Sequence, residues 1–342
     1  MRRTLLISAC VLLAGCSTYE DIEPMPSPSV TRSPEPRPYR SYAAPTEVLS
    51  IEPWEFGGTP GSVIRTQHYR VFTTSDRRII RQTLPGFLEA SLRQYRTSLT
   101  DLPAPPVKLD TYLMHTRPQW ATLTRALMRE RADVYLRIQR GGFAASGRGV
   151  YRDLGTLSDT LNLAAHEGWH QYTQLTFKTR LPVYLEEGIA TYMEGFKFDP
   201  SRPDLPIFMP WANTERYDQL RAAYAEGQLL SLQELMASSP QELISSNQMR
   251  ALTWYAQVWA LVHFLREGES GLYNNGLQSM LTDAASGVGN GRRVARLMPD
   301  PLTTYFNTPL DEFDAQYQTF IETIVAPGGR DRIVAGRSPV RR

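Results

Sequence analysis

Two of the five histidines in this 342-residue chain stand four apart, in the segment His166-Glu167-Gly168-Trp169-His170. A helix-start signal at Ser158-Asp159 and an apolar run through Leu161, Leu163 and Ala164 precede it, which predicts a helix over 159–178. Residues four apart on a helix lie one above the other. Both imidazoles can therefore meet one zinc ion, while Glu167, one step around, can reach a metal-bound water. Zinc of the catalytic kind needs a third protein ligand and an open position for water. Residues 181–194 supply that ligand: Pro182 starts a helix expected over 183–196, and Leu185, Ile189, Tyr192 and Met193 form its inward stripe. On spacing alone, Glu186 and Glu187 are both candidates.

The elements that must hold these residues read in two halves. Residues 69–73 alternate as a strand, a helix capped at Ser75-Asp76 runs to about Leu99, and 107–114 is a second strand. A helix over 118–131, a strand over 134–138 and a glycine-rich edge strand or hairpin over 141–151 follow. Beyond 159 the pattern is mostly helical, with helices near 159–178, 183–196, 214–226, 252–267, 271–284 and 309–325, the last with Thr308 as N-cap and Pro309 at its first position. Strands followed by helices predict an α+β fold.

Composition narrows the chemistry. With 42% hydrophobic and 21% charged residues the chain is globular, not a collagen, a coiled coil or wholly disordered. A net charge of +2 gives no footprint for nucleic acid. The two cysteines, Cys10 and Cys16, leave no thiol in the body for a disulfide framework, a cysteine zinc site or a nucleophile. His68, His115 and His263 lack metal spacing and are expected to be structural.

HExxH followed by the helix around Tyr184-Leu185, Glu187-Gly188 and Ala190 resembles the gluzincin metallopeptidases, including the thermolysin and aminopeptidase branches and the peptidase-MA-like and DUF1570 families. The resemblance covers about residues 60–285. It implies a zincin-like fold, with an α/β sheet lobe carrying the HExxH helix (51–178) and a helical lobe (179–325), and it selects Glu187 as third ligand beside His166 and His170, with one zinc per chain. Glu194 matches the family's acidic residue seven positions on; it shares a face with Glu187 and is expected to hydrogen-bond a liganding imidazole. Residues 255–265 resemble the aminopeptidase helix whose tyrosine stabilises the oxyanion, which implies that role for Tyr255, with Trp254 as a neighbouring donor. Thr191 stands where thermolysin-like members carry aspartate, and the aminopeptidase G-A-M-E-N motif is absent. Residues 141–151 occupy the place of the family's substrate-pairing edge strand.

The front of the chain reads as an address. Arg2-Arg3, an apolar run to Leu13 and then Ala14-Gly15-Cys16 have the layout of an export signal. Leu13-Ala14-Gly15-Cys16 resembles the bacterial lipobox, which implies cleavage after residue 15, acylation of Cys16, and a lipid anchor in the cell envelope, at the outer membrane facing the periplasm. Residues 16–50 are proline-rich and expected to be a disordered tether; 326–342 are expected to be a flexible basic tail. The expectation is a membrane-anchored zinc metallopeptidase acting on peptide or protein substrates, by default an endopeptidase, with Glu167 activating water. The alternatives are a noncatalytic zinc-binding envelope module and a zinc hydrolase of a non-peptide bond.

Overall fold

The computed structural model describes residues 41–42, 47–138, 141–199, 202–240, 242–243, 248–287 and 305–341. The signal segment, Cys16 and most of the expected tether lie outside the described residues.

Period-two patterning builds a sheet from β2 (Ser50–Phe56), β3 (Thr59–Arg65), β4 (Tyr69–Thr73), β5 (Leu109–Met114), β6 (Phe143–Ala145) and β7 (Arg148–Arg152), in the order β2-β3-β4-β5-β7-β6. The preceding β1 (Ser41–Tyr42) belongs to a separate sheet. β2, β3 and β4 are antiparallel neighbours, β4, β5 and β7 run parallel, and β6 returns antiparallel to β7 as the edge. On β4, Tyr69 and Val71 enter the main core, while Phe72 stacks on Tyr112 at 4.6 Å. The main-core side is filled by α1 (Arg78–Thr97) and α4 (Leu157–Thr176). On the other side, α2 (Arg117–Met128) and α3 (Ala132–Leu136) close a smaller core around Trp120, Tyr135, Phe143 and Val150.

The second half comprises α5 (Val183–Met193), the hairpin β8 (Phe196–Asp199) and β9 (Arg202–Phe208), then α6 (Thr214–Ala225), α7 (Leu232–Ala237), α8 (Gln248–Glu267), α9 (Asn274–Ser286), α10 (Leu310–Val325) and α11 (Gly329–Val334). The architecture is mixed α+β. Helix α8 is buried without interruption from Ala251 to Leu265, so α5, α6 and α10 pack around it as a central post. Among the described residues no helix is long and apolar enough to cross a membrane.

Four expectations need correction. Residues 134–138 do not form a strand: Ala132, Tyr135 and Ile138 are the buried ones, a spacing of three that belongs to a helical turn, and Val134 is exposed. Residues 41–42, inside the expected disordered tether, form β1 and pair with the β8–β9 hairpin, which interrupts the otherwise mostly helical run after 159. Thr308 does not cap α10; Pro309 holds that position, and the Thr308 hydroxyl bonds Phe306 O. The tail is not a free segment either. Ile333 of α11 is fully buried, Arg330 forks Asp218 at 2.9 Å through both nitrogens, and Arg341 Nε meets Glu267 Oε2 at 2.8 Å. One isoleucine and two partnered arginines dock a stretch whose composition reads as solvated.

Candidate metal centre

Helix α4 starts at Thr156, whose hydroxyl accepts from Asp159 N, and its residues from Leu163 to Thr173 are all buried between the sheet and the helical half. A helix enclosed on every side needs room for its neighbours. Gly168 supplies it: a Cβ there would stand 2.5 Å from the Tyr95 hydroxyl, which donates to Ala165 O at 2.7 Å. Gly188 does the same for α5, since a Cβ would meet Val258 O at 2.7 Å. That contact lets α5 lie against α8 and brings the α5 carboxylates over the two histidines.

His166 Nε2 and His170 Nε2 are 3.2 Å apart, and Glu187 Oε2 lies 3.3 Å from the first and 3.6 Å from the second. All three side chains are buried, and together they form a group that could hold a metal ion. The far nitrogen of each ring meets a different carboxylate: His166 Nδ1 is 2.8 Å from Glu194 Oε1, and His170 Nδ1 is 3.0 Å from Glu186 Oε1. Each of these carboxylates favours an Nδ1–H tautomer and leaves the Nε2 lone pair aimed inward. The Glu187 oxygens are completely buried and have, among the described residues, no donor near them other than the two imidazoles. Two ring nitrogens and a buried carboxylate that converge with no further partner form an arrangement that needs a cation, a proton or a metal ion, between them.

The outer carboxylates are themselves held. Glu194 Oε2 accepts from Asn213 Nδ2 at 2.7 Å, and Arg216 Nη2 lies 3.4 Å from Oε1. Glu186 Oε1 accepts from Thr173 Oγ1 at 2.7 Å. Asn213 is also the N-cap of α6, its Oδ1 accepting from Arg216 N, so one residue starts the helix and fixes Glu194. Asn213, Arg216 and Thr173 carry no motif. An asparagine before a helix is legible as a cap, but its second partner, nineteen residues back, is not.

Charge is redistributed accordingly. Burial pushes the Glu187 carboxyl up, yet the imidazoles of His170 and His166 outweigh it and hold the group at about 2. Burial pulls His166 and His170 down, and the carboxylates around them more than reverse that. Glu167, buried one step around the helix, is pushed above the usual carboxylate range by burial, partly offset by the two histidines and the Ala144 backbone beside it. Ala144 lies on edge strand β6.

Tyr255 of α8 is buried with its ring 6.5 Å from that of His166 and edge-on to it, and the Arg216 guanidinium lies over the tyrosine ring, 5.1 Å from its centre. Burial, followed by the Glu187 charge, drives its phenol well above the ordinary value, so it stays protonated at neutral pH. Trp254 points elsewhere: its indole N–H donates to Leu235 O at 2.9 Å. Thus His166, Glu167, His170, Glu187, Glu194 and Tyr255 come together from three helices, with Glu186 on the outer nitrogen of His170. His68 pairs with Glu89, His115 faces Asp76 and Asp153, and His263 is packed among aromatic rings, all away from the centre. Comparison with protein-family models, with curated proteins and with solved structures finds no match to this chain.

Proposed function

We propose that the protein is a zinc-dependent metallopeptidase of gluzincin type, with a zincin-like arrangement of sheet, HExxH helix and ligand helix. The observation that carries the reading is the triangle of His166 Nε2, His170 Nε2 and Glu187 Oε2, with sides of 3.2, 3.3 and 3.6 Å. Tetrahedral zinc with bonds of ~2.0 to 2.1 Å separates its ligand atoms by about 3.3 Å, so the donors fit the ion in kind, number and spacing. Three protein ligands leave one position for chemistry.

Zinc bound there supplies a Lewis acid that polarises a carbonyl and acidifies water. Glu167 receives the proton on its carboxylate, and the upward shift that burial imposes makes it a stronger base than a solvated glutamate. Tyr255 donates its phenolic hydrogen to the negative charge that develops on the substrate oxygen. Glu194 and Glu186 hold the imidazoles in the tautomer that ligates. Strand β6 is an edge of the sheet beside α4, so a peptide laid along it in extended form would lie next to the site, displacing the Gln174 contact to Ala144 O. The export signal and Cys16 add the expectation of a lipid anchor in the bacterial envelope, at the outer membrane and facing the periplasm, reached through the proline-rich segment.

Zinc analysis combined with digestion of an unbiased peptide library, wild type against Glu167→Gln, tests the activity. One zinc in both proteins and cleavage only by the wild type is the expected result. Equal zinc with no cleavage by either protein favours a binding module or a non-peptide substrate. Membrane fractionation of Cys16→Ser tests the anchor: the variant should leave the carbonate-washed membrane fraction, and retention there overturns it.

A further inference from the structure

Away from the metal ligands, four strands place charged residues side by side. Arg65 on β3 is in register with Arg70 on β4, Arg70 with Asp110 on β5, and Asp110 with Arg148 on β7. Residues in register on neighbouring strands share a face, and like charges directly opposite one another destabilise a sheet. The arrangement is only partly neutralised. Glu52 forks Arg65 at 2.7 and 3.0 Å, and Asp110 uses both oxygens on Arg70, at 2.5 and 2.7 Å. Arg148, on the other side of Asp110, has an exposed side chain whose one contact among the described residues is the Tyr112 hydroxyl, with no carboxylate of its own beyond Asp110. Arg65, Arg70, Lys108, Asp110, Arg148 and the 146–147 turn line a cleft of about 560 Å³, four cations and one carboxylate among them.

The cleft lies at the end of the edge strand. Its 146–147 turn directly follows β6, and Leu175 of α4 forms part of its wall. Gln174 of α4 binds the hairpin at two points, donating to Ala144 O and accepting from Gly147 N, each at 3.0 Å. From Glu167 to Leu175 is eight helical residues, about 12 Å. An extended peptide covers that distance in three to four residues, at ~3.3 Å each.

We propose that this cleft selects acidic peptide substrates, taking a carboxylate side chain three to four residues from the scissile bond, with Arg148 as its recognising guanidinium. The inference rests on the peptidase reading. A guanidinium matches a carboxylate through two parallel hydrogen bonds, a geometry a fork at the end of a strand can offer. An anionic lipid surface is the less favoured partner, because membrane attraction needs several free cations on a convex face, whereas these line a concavity, Arg65 and Arg70 are each forked by a carboxylate, and Lys108 donates to Thr66 O at 2.7 Å.

The test uses the full-length zinc-loaded chain in detergent. Library digestion should show Asp and Glu enriched three to four residues from the cut. The ratio of kcat/KM for a matched acidic peptide over its neutral counterpart should fall about 5-fold or more in Arg148→Glu, the upper range for one exposed ion pair. It should fall less in Arg148→Lys, which keeps the charge and loses the fork, and shrink in high salt. Zinc content and circular dichroism establish that each variant is folded. Cleavage with no acidic preference, or a preference that survives Arg148→Glu, overturns the inference and leaves the peptidase reading standing. Absence of any zinc-dependent cleavage by the wild type overturns both. Binding to phosphatidylglycerol vesicles that depends on Arg148, without acidic preference in cleavage, overturns it in favour of a membrane contact.

Discussion

His166 and His263 are both completely buried, on α4 and α8, yet their surroundings differ in kind. His166 has a carboxylate at each ring nitrogen, Glu194 at 2.8 Å and Glu187 at 3.3 Å, with a second imidazole 3.2 Å away. His263 lies flat on Trp211 at 3.6 Å between ring centres, with Trp259 and Tyr192 each 4.8 Å away. Its Nδ1 is 3.6 Å from a Glu267 oxygen, and that carboxylate already receives Trp211 Nε1 and Arg341. Burial lowers the affinity of His263 for a proton and its neighbours only partly restore it, whereas at His166 the carboxylates overcome the same burial. What distinguishes a candidate ligand from a packed histidine here is therefore the carboxylate behind the ring and the second imidazole and carboxylate ahead of it. Burial is common to both.

Removing either end of that difference gives the largest effects. His166→Ala, His170→Ala or Glu187→Ala should abolish stoichiometric zinc, read by elemental analysis after dialysis, while His263→Phe keeps it. Equal losses from Glu186→Ala and Glu187→Ala would undo the ligand assignment, since Glu186 meets His170 at its outer nitrogen, Nδ1. Next in size, Glu167→Gln should retain zinc and lose turnover by roughly 10²- to 10⁴-fold, the range for general acid–base catalysis. Tyr255→Phe should lower kcat by ~10²-fold with KM little changed. Trp254→Phe is the control: its N–H is engaged by Leu235 O, so turnover should stay near wild type. A dead Trp254→Phe beside an active Tyr255→Phe would reverse their roles.

Outer partners come third. Glu194→Gln and Glu186→Gln should weaken zinc binding by about 10- to 100-fold in chelator competition, with the fold intact. If both bind zinc as the wild type does, the carboxylates behind the rings do not define the centre.

The smallest effect is in pH dependence, and its sign differs between the two regions. His263 is held below its ordinary value by burial, so below about pH 6.5 the unfolded chain binds its proton first. Its contribution to stability is complete above that range and is lost as pH falls. His166 and His170 are raised in the metal-free centre, so there they stabilise at low pH and lose that contribution as pH rises through their folded values. On the proposed reading, protons and zinc compete for them. The gap in Tm between zinc-loaded and chelated protein should narrow on acidification from about pH 8 to about pH 5.5. His263→Phe should flatten the acid fall in both forms and leave that gap unchanged; a gap that changes in His263→Phe would couple the two regions.

Much of the scaffold is legible from short-range pattern. The 69–73 strand coincides with β4, and the helices around 159–178, 183–196 and 214–226 lie within a few residues of α4, α5 and α6. Failures occur where local pattern and final burial disagree. At 134–138 the alternation of Val134, Leu136 and Ile138 suggests a strand, but Tyr135 and Ile138 are the residues that find a core. In 329–341, charge suggests solvent, but Asp218 and Glu267 lie within reach.

The sequence by itself determined the donors: two histidines one helical turn apart, a glutamate between them and a pair of glutamates on the next helix, because those are properties of residue type and helical period. Which of Glu186 and Glu187 faces both rings is a matter of how α5 rolls against α4 and α8, and that depends on Gly188 seating under Val258, 70 residues away in sequence. The choice between Trp254 and Tyr255 likewise waits for the Leu235 carbonyl to take the indole, and Glu194 becomes a partner of His166 only when Asn213 and Arg216 arrive on α6. Neighbouring helical residues point about 100° apart, so a one-residue choice is a rotation of the whole helix. Only side chains that come from elsewhere in the chain fix that rotation.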